Sequence, residues 1–167
     1  LHIITGNNRD PFTLHGEERE TAARVSWGVL GEAAPVLTNE FIWGGVLDRF
    51  PSLKICAAHG GGFLGSYANR SDAVCKTFPG KVGPLPKKAP TSYLKDGQLF
   101  FDTIVFTPEA LRHLIAESGP GQIMIGTDYP FPWTSTEVDL VLNTPDLSDE
   151  DRIAILGGTA AKLLGID

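Results

Sequence analysis

The chain predicts an α/β fold with a parallel sheet, on three observations. Four short apolar runs, at residues 1–4, 53–58, 99–103 and 123–125, have strand length and almost no polar interruption, as strands covered on both faces do. Longer segments with apolar residues at helical spacing separate them. Strand and helix alternate four times, the order that crossover helices impose on a parallel sheet. Four such units make half of an eight-stranded barrel or a complete small open sheet, and the pattern alone does not choose between them.

The elements follow in chain order. Residues 1–4 read as a strand already under way, ending at the turn formers Thr5-Gly6-Asn7-Asn8. Residues 10–20 are polar and weakly patterned, as a loop over the sheet end would be. A helix over 17–30 is weakened by Gly28 and Gly31. From Pro35, which suits a first turn, Val36, Leu37, Phe41, Ile42, Val46 and Leu47 recur at helical spacing. This helix ends near Arg49-Phe50-Pro51, and the second strand runs over 53–58 to His59-Gly60-Gly61-Gly62. A helix over 63–77 follows. Residues 79–90 hold four prolines and no apolar face, so they predict an extended surface loop.

The third strand carries Asp102 near its end. Thr107-Pro108-Glu109 opens a helix to Ser118, with Thr107 as N-cap and proline in the first turn. Gly119-Pro120-Gly121 breaks that helix, and the fourth strand runs into Gly126-Thr127-Asp128. Pro130 and Pro132 exclude a helix at its exit. Ser148 then caps a helix with Asp149, Glu150 and Asp151 in its first turn. Gly157-Gly158 is expected to end it before a last helix over 159–164.

Composition narrows the function classes. At 167 residues and 42% hydrophobic, residues 1–167 form a single domain with a core of ordinary size. Twenty acidic and 14 basic side chains give a net charge of −6 without any basic run. Phosphate binding needs clustered Lys and Arg, so a nucleic-acid partner is excluded. No apolar stretch reaches membrane-spanning length, and no signal peptide is visible. Cys56 in a strand and Cys75 on a helix read as reduced, packed thiols of a cytoplasmic protein. The chain opens without Met inside a strand, and so reads as part of a longer one.

Few residues carry chemistry. His59 stands directly after an apolar strand, and the three glycines behind it let a ligand approach the backbone. An imidazole there can exchange protons near neutral pH. The same residues also suit a helix-entry turn whose histidine only fills space, and the residues alone leave both readings open. Asp128 is a carboxylate at a strand's C-terminal end, where barrels of parallel strands place their active sites. Alone, it is equally a turn cap. Arg70 falls on the helix after His59, where most arginines are solvated. His113 sits beside Arg112 on an amphipathic helix and reads as a surface or packing residue.

Two stretches carry a resemblance. Phe50-Pro51-Ser52-Leu53-Lys54 with Ala58-His59-Gly60-Gly61, and Gly126-Thr127-Asp128-Tyr129-Pro130, resemble the metal-dependent amidohydrolase superfamily. The likeness is to its branch of non-oxidative decarboxylases related to aminocarboxymuconate-semialdehyde decarboxylase. It covers most of the chain, above all residues 44–70 and 101–133, and implies a (β/α)8 TIM-type barrel of which this chain is the second half, strands five to eight. It further implies that Asp128 binds the metal and that His59 faces the metal-bound water as proton-transfer residue. Arg70 is implied to hold the substrate carboxylate in its own or a neighbouring subunit's site, for which a guanidinium fork is suited. His2 stands where the family has a strand-five ligand, although Ile3 replaces the usual proline. His15 is a rival in a polar loop, which fixes a ligand less well than a strand end. Asp102 is expected to orient His59 or a water.

The implied function is decarboxylation of a small carboxylated aromatic or dienoic acid with a divalent metal, Zn2+ foremost. The alternatives are hydrolysis of a lactone or C–N bond on the same barrel, and a catalytically silent half-barrel. A catalytic zinc site takes at least three protein ligands, and the family's His-x-His of strand one does not occur in this sequence. By itself the chain is therefore expected to bind metal weakly or not at all. Two open sheet edges predict association with another copy or with an N-terminal half of the barrel.

Overall fold

The computed structural model describes residues 2–4, 41–62, 64–79, 85–129, 131 and 137–166. The expected helix over 17–30, the start of the one from Pro35, and His15 lie outside them. Four parallel strands, β1 (His2–Ile4), β2 (Ile55–Ala57), β3 (Leu99–Asp102) and β4 (Ile123–Met124), form one sheet in sequence order. Each expected strand is present, and β2, β3 and β4 are shorter than expected. Ile125 leaves the ladder, its N–H bonding Ile155 O at 2.9 Å.

Side-chain alternation assigns the two faces of the sheet. Ile55 and Ala57 of β2, Leu99 and Phe101 of β3, and Ile123 of β4 belong to one buried apolar cluster. The helices α2 (Leu64–Thr77) and α4 (Pro108–Ser118) fill that cluster with Leu64, Ala68, Leu111 and Leu114. Cys56, Phe100, Asp102 and Met124 alternate onto the other face. Burial beside Asp102 pushes the Cys56 thiol up to about 12, so it is a packed group and no nucleophile.

At the N-terminal end of the strands, two buried glutamines replace any apolar plug. Gln98 Nε2 donates to Leu47 O and Phe50 O, beside α1 (Val46–Arg49), at 3.1 and 3.0 Å. Gln122 accepts from Gly97 N at 2.8 Å and donates to Leu94 O and Leu99 O.

Four elements differ from expectation. The helix expected from Pro35 to Arg49 is broken at Gly45, which sits at φ 71°, so that α1 begins only at Val46. The proline-rich loop ends at a short helix, α3 (Pro90–Tyr93), because Asp72 of α2 accepts from Thr91 N and Oγ1 at 3.0 and 2.7 Å. A helix α5 (Glu137–Asn143) follows the Pro130–Pro132 region, where none was expected. Gly157 and Gly158 do not end the helix capped by Ser148. The helix α6 (Asp149–Ile153) continues through a π turn (Ala154–Gly158) into α7 (Thr159–Leu164). The widened turn leaves Ile155 O to receive Ile125 N–H, and a Cβ on Gly158 would meet Ile153 O at 3.3 Å. Glycine allows the widening instead of stopping the helix. Ser148 itself makes the expected capping box with Asp151. Among the described residues, no helix is long and apolar enough to cross a membrane.

Candidate active site

The C-terminal ends of β2, β3 and β4 converge on His59, Asp102 and Asp128. His59 Nε2 lies 3.5 Å from Asp128 Oδ1, and their side chains keep 28% and 18% exposure, so the pair is open to solvent. Sequence reasoning placed both residues at one end of the sheet, and the parallel strands put them there.

Both sit in the left-handed region, His59 at φ 58° and Asp128 at φ 51°. A non-glycine residue held there costs about 1–2 kcal/mol, and such strain gathers where a chain must aim a side chain against its own preference. Gly60, Gly61 and Gly62 continue at φ 61°, 72° and 62°. A Cβ on Gly60 would stand 2.5 Å from Val105 Cγ1, and one on Gly61 2.8 Å from the Phe101 ring. The glycine run therefore folds the His59 turn flat onto the end of β3.

Asp102 holds that turn. His59 N donates to its Oδ2 at 2.8 Å, while Gly60 N and Ile104 N donate to its Oδ1 at 2.8 and 3.1 Å. Its hydrogen bond to His59 is thus to the backbone, not to the imidazole. Burial raises the Asp102 carboxyl above the usual carboxylate range, and the Gly60, His59 and Ile104 N–H groups and the nearby His59 pull it back. Gly126 completes the contact between strands, since a Cβ there would lie 2.7 Å from Asp102 Cβ. Gly126 N–H bonds the hydroxyl of buried Thr103 at 3.2 Å.

Other candidates stand further off. Arg70 is exposed on α2. His113 is exposed and meets Ser66 Oγ at 3.0 Å, a surface contact as expected. His2 pairs with Ile55, four positions before His59, so the register of β1 sets it about 13 Å lower along the strands. Among the described residues no three His, Cys, Asp or Glu gather into a set able to hold a metal ion. At the site, Asp128 stands beside the His59 imidazole, while the Asp102 carboxylate is occupied by backbone N–H groups. A cavity of about 570 Å³ lined by Lys54, Gly97, Gln122 and Lys162 lies at the opposite end of the sheet and has no part in this site.

Sequence reasoning missed Glu137. It is 1% exposed at the start of α5, and neither carboxyl oxygen makes a well-formed hydrogen bond, although Thr103 lies beside it. A charged residue opening a weakly patterned segment reads as solvated, and nothing in the sequence marks it otherwise.

The sequence profile of the Amidohydrolase family matches residues 11–166. The chain belongs to the amidohydrolase family. This amidohydrolase is 30% identical over 160 residues to 2-amino-3-carboxymuconate-6-semialdehyde decarboxylase of Dictyostelium discoideum, covering 94% of this chain and 44% of that protein. It is 36% identical over 141 residues to the enzyme of the same name from Caenorhabditis elegans, covering 84% and 34%. The chain thus spans less than half the length of these relatives. Among solved structures it resembles a dihydroxybenzoic acid decarboxylase from Polaromonas with bound manganese, at 27% identity and a TM-score of 0.63 over 90% of this chain and 40% of that one.

Proposed function

We propose that this amidohydrolase is a metal-dependent non-oxidative decarboxylase of a small carboxylated aromatic or dienoic acid. The observation that carries the reading is the meeting of His59 and Asp128 at 3.5 Å on the C-terminal end of a parallel sheet, in a chain whose relatives are decarboxylases. The cation is divalent, Zn2+ or, as in the Polaromonas protein, manganese. When bound it would polarise the substrate and lower the pKa of a water. Asp128 would hold it with one carboxylate. His2 as a second ligand is carried by the resemblance alone.

His59 would serve as proton-transfer residue. The bond from the ring or diene carbon to the carboxylate breaks, CO2 leaves, and a proton held at His59 Nε2 passes to that carbon. An imidazole suits this because it gains and loses a proton near neutral pH. Asp102 keeps the imidazole at its place by holding the turn behind it. Arg70 would bind a substrate carboxylate, in its own site or in that of a neighbouring copy. β1 and β4 edge the sheet among the described residues, and a second copy or the other half of a (β/α)8 barrel, this chain being strands five to eight, would cover them.

That no three candidate ligands gather among the described residues favours a second reading, a catalytically silent portion of a barrel. Incubation with Mn2+ or Zn2+ and a panel of carboxylated aromatic acids, dienoic acids and lactones separates the two. CO2 release that is lost in His59→Ala supports the decarboxylase. Lactone opening without CO2 release points to hydrolysis, and no turnover of any compound points to the silent barrel.

A further inference from the structure

Glu137 is a fully buried carboxyl group with no use in the mechanism above. It lies beside Thr103 and close enough to Asp102 to feel its charge, and those two residues anchor the turns that carry Asp128 and His59. Asp102 accepts the His59 and Gly60 N–H groups, while Thr103 Oγ1 accepts the Gly126 N–H. Having accepted, the Thr103 hydroxyl still has its own hydrogen to donate, and Glu137 is the acceptor beside it. Yet neither Glu137 oxygen makes a well-formed hydrogen bond among the described residues.

An anion cannot persist in that position. A buried carboxylate without donors is strongly penalised, and Asp102 adds a second negative charge. Asp102 has three N–H donors and Glu137 none, so a shared preference for one proton resolves onto Glu137. Among the described residues, no cation reaches it from the elements packed against α5. On α4, Arg112 turns to Glu109 and Asp146, and His113 to Ser66. The π turn carries no charged residue, and α5's own Asp139 is exposed. Burial first, and the Asp102 charge in support, raise Glu137 above the ordinary carboxyl value, against the pull of Thr103.

We propose that Glu137 is a positioning residue of this site, a carboxylic acid that carries its own proton and receives the Thr103 hydroxyl. One negative charge is then left behind the site, on Asp102, where it grips the His59 turn, while Thr103 is free to fix the Gly126 turn that leads to Asp128. The proposal rests on His59 and Asp128 forming the working site, but its test does not depend on turnover.

Infrared spectra and amide hydrogen exchange of the parent, Glu137→Gln, Glu137→Leu and Thr103→Val test it. The carbonyl band of a protonated carboxylic acid should be present in the parent at neutral pH and absent from Glu137→Gln. The Gly126 amide should exchange within about twofold of the parent rate in Glu137→Gln, which keeps a neutral acceptor. In Glu137→Leu and in Thr103→Val it should exchange roughly tenfold faster relative to the Ile125 amide, the effect of losing about one hydrogen bond's worth of protection. An acid band that survives Glu137→Gln overturns the proposal, and so does Gly126 exchange that is unchanged in both other variants. Should Glu137→Leu fail to fold, the infrared band and Thr103→Val still decide. A protein that passes both tests and decarboxylates nothing refutes the proposed function while leaving this role of Glu137 in place.

Discussion

Asp102→Asn separates the anchor of the His59 turn from everything else in the site. The carboxylate receives three N–H groups on two oxygens. An amide has one oxygen, and the best it can do is keep the two bonds at Oδ1, leaving His59 N–H facing an NH2 group. Hydrogen bonds to a charged acceptor contribute about 1.5–3 kcal/mol each, so His59 N and Gly60 N together hold the turn with about 3–6 kcal/mol. The left-handed His59 costs only about 1–2 kcal/mol, and the anchor wins easily. In the variant one bond to Gly60 remains, now neutral and worth about 1 kcal/mol, which no longer exceeds the strain. The turn should relax and carry the imidazole away from Asp128. Allowing for relief of a buried charge, the net loss is about 2 kcal/mol, or a Tm lower by about 4–8 °C for a chain of this size. Thermal unfolding measures the first effect, and a structure of the variant measures the second, as a His59 Nε2 to Asp128 Oδ1 distance beyond 3.5 Å. An unchanged Tm with His59 still at φ 58° would refute the reasoning.

The remaining predictions are shorter. Glu137 has a raised folded pKa, so its contribution is fully present below the unfolded value of about 4.5 and is lost as pH rises through the folded one. Glu137→Gln should therefore gain stability relative to the parent as pH climbs from 4.5 towards neutral, and a Tm difference flat across that range contradicts it. Gly126→Ala places a Cβ 2.7 Å from Asp102 Cβ, and overpacking of this kind should cost about 1–3 kcal/mol in thermal or denaturant unfolding. Among the described residues β1 and β4 edge the sheet, so the chain should associate with another copy or with an N-terminal half of the barrel, and a monomer at all concentrations in sedimentation would count against that.

The strand ends were the legible part of this sequence. Apolar runs followed at once by His59 and Asp128 locate both residues without coordinates, because parallel strands share one functional end. Thr107 and Ser148 announce their helices because cap chemistry is local. What was illegible depends on distance in space. Asp102 reads as an orienting carboxylate, but only the fold shows that it grips the backbone of a turn 43 residues earlier. Gly157 and Gly158 look like a helix stop, because nothing local shows that Ile155 O is needed by Ile125. Glu137 looks solvated, since burial of a charged side chain at a helix start is decided by what packs over it.

Metal content of purified His59→Ala and Asp128→Ala, each loaded with Mn2+ or Zn2+ beside the parent, tests the central claim most directly. A carboxylate that coordinates the cation leaves a hole in its shell when removed, whereas a proton-transfer imidazole can go without emptying the site. Asp128→Ala should lose metal and activity together. His59→Ala should keep its metal and lose about 10²–10⁴ in rate, the usual range for general acid–base catalysis. Loss of metal from His59→Ala as complete as from Asp128→Ala would make His59 a ligand and contradict the roles assigned to the two residues.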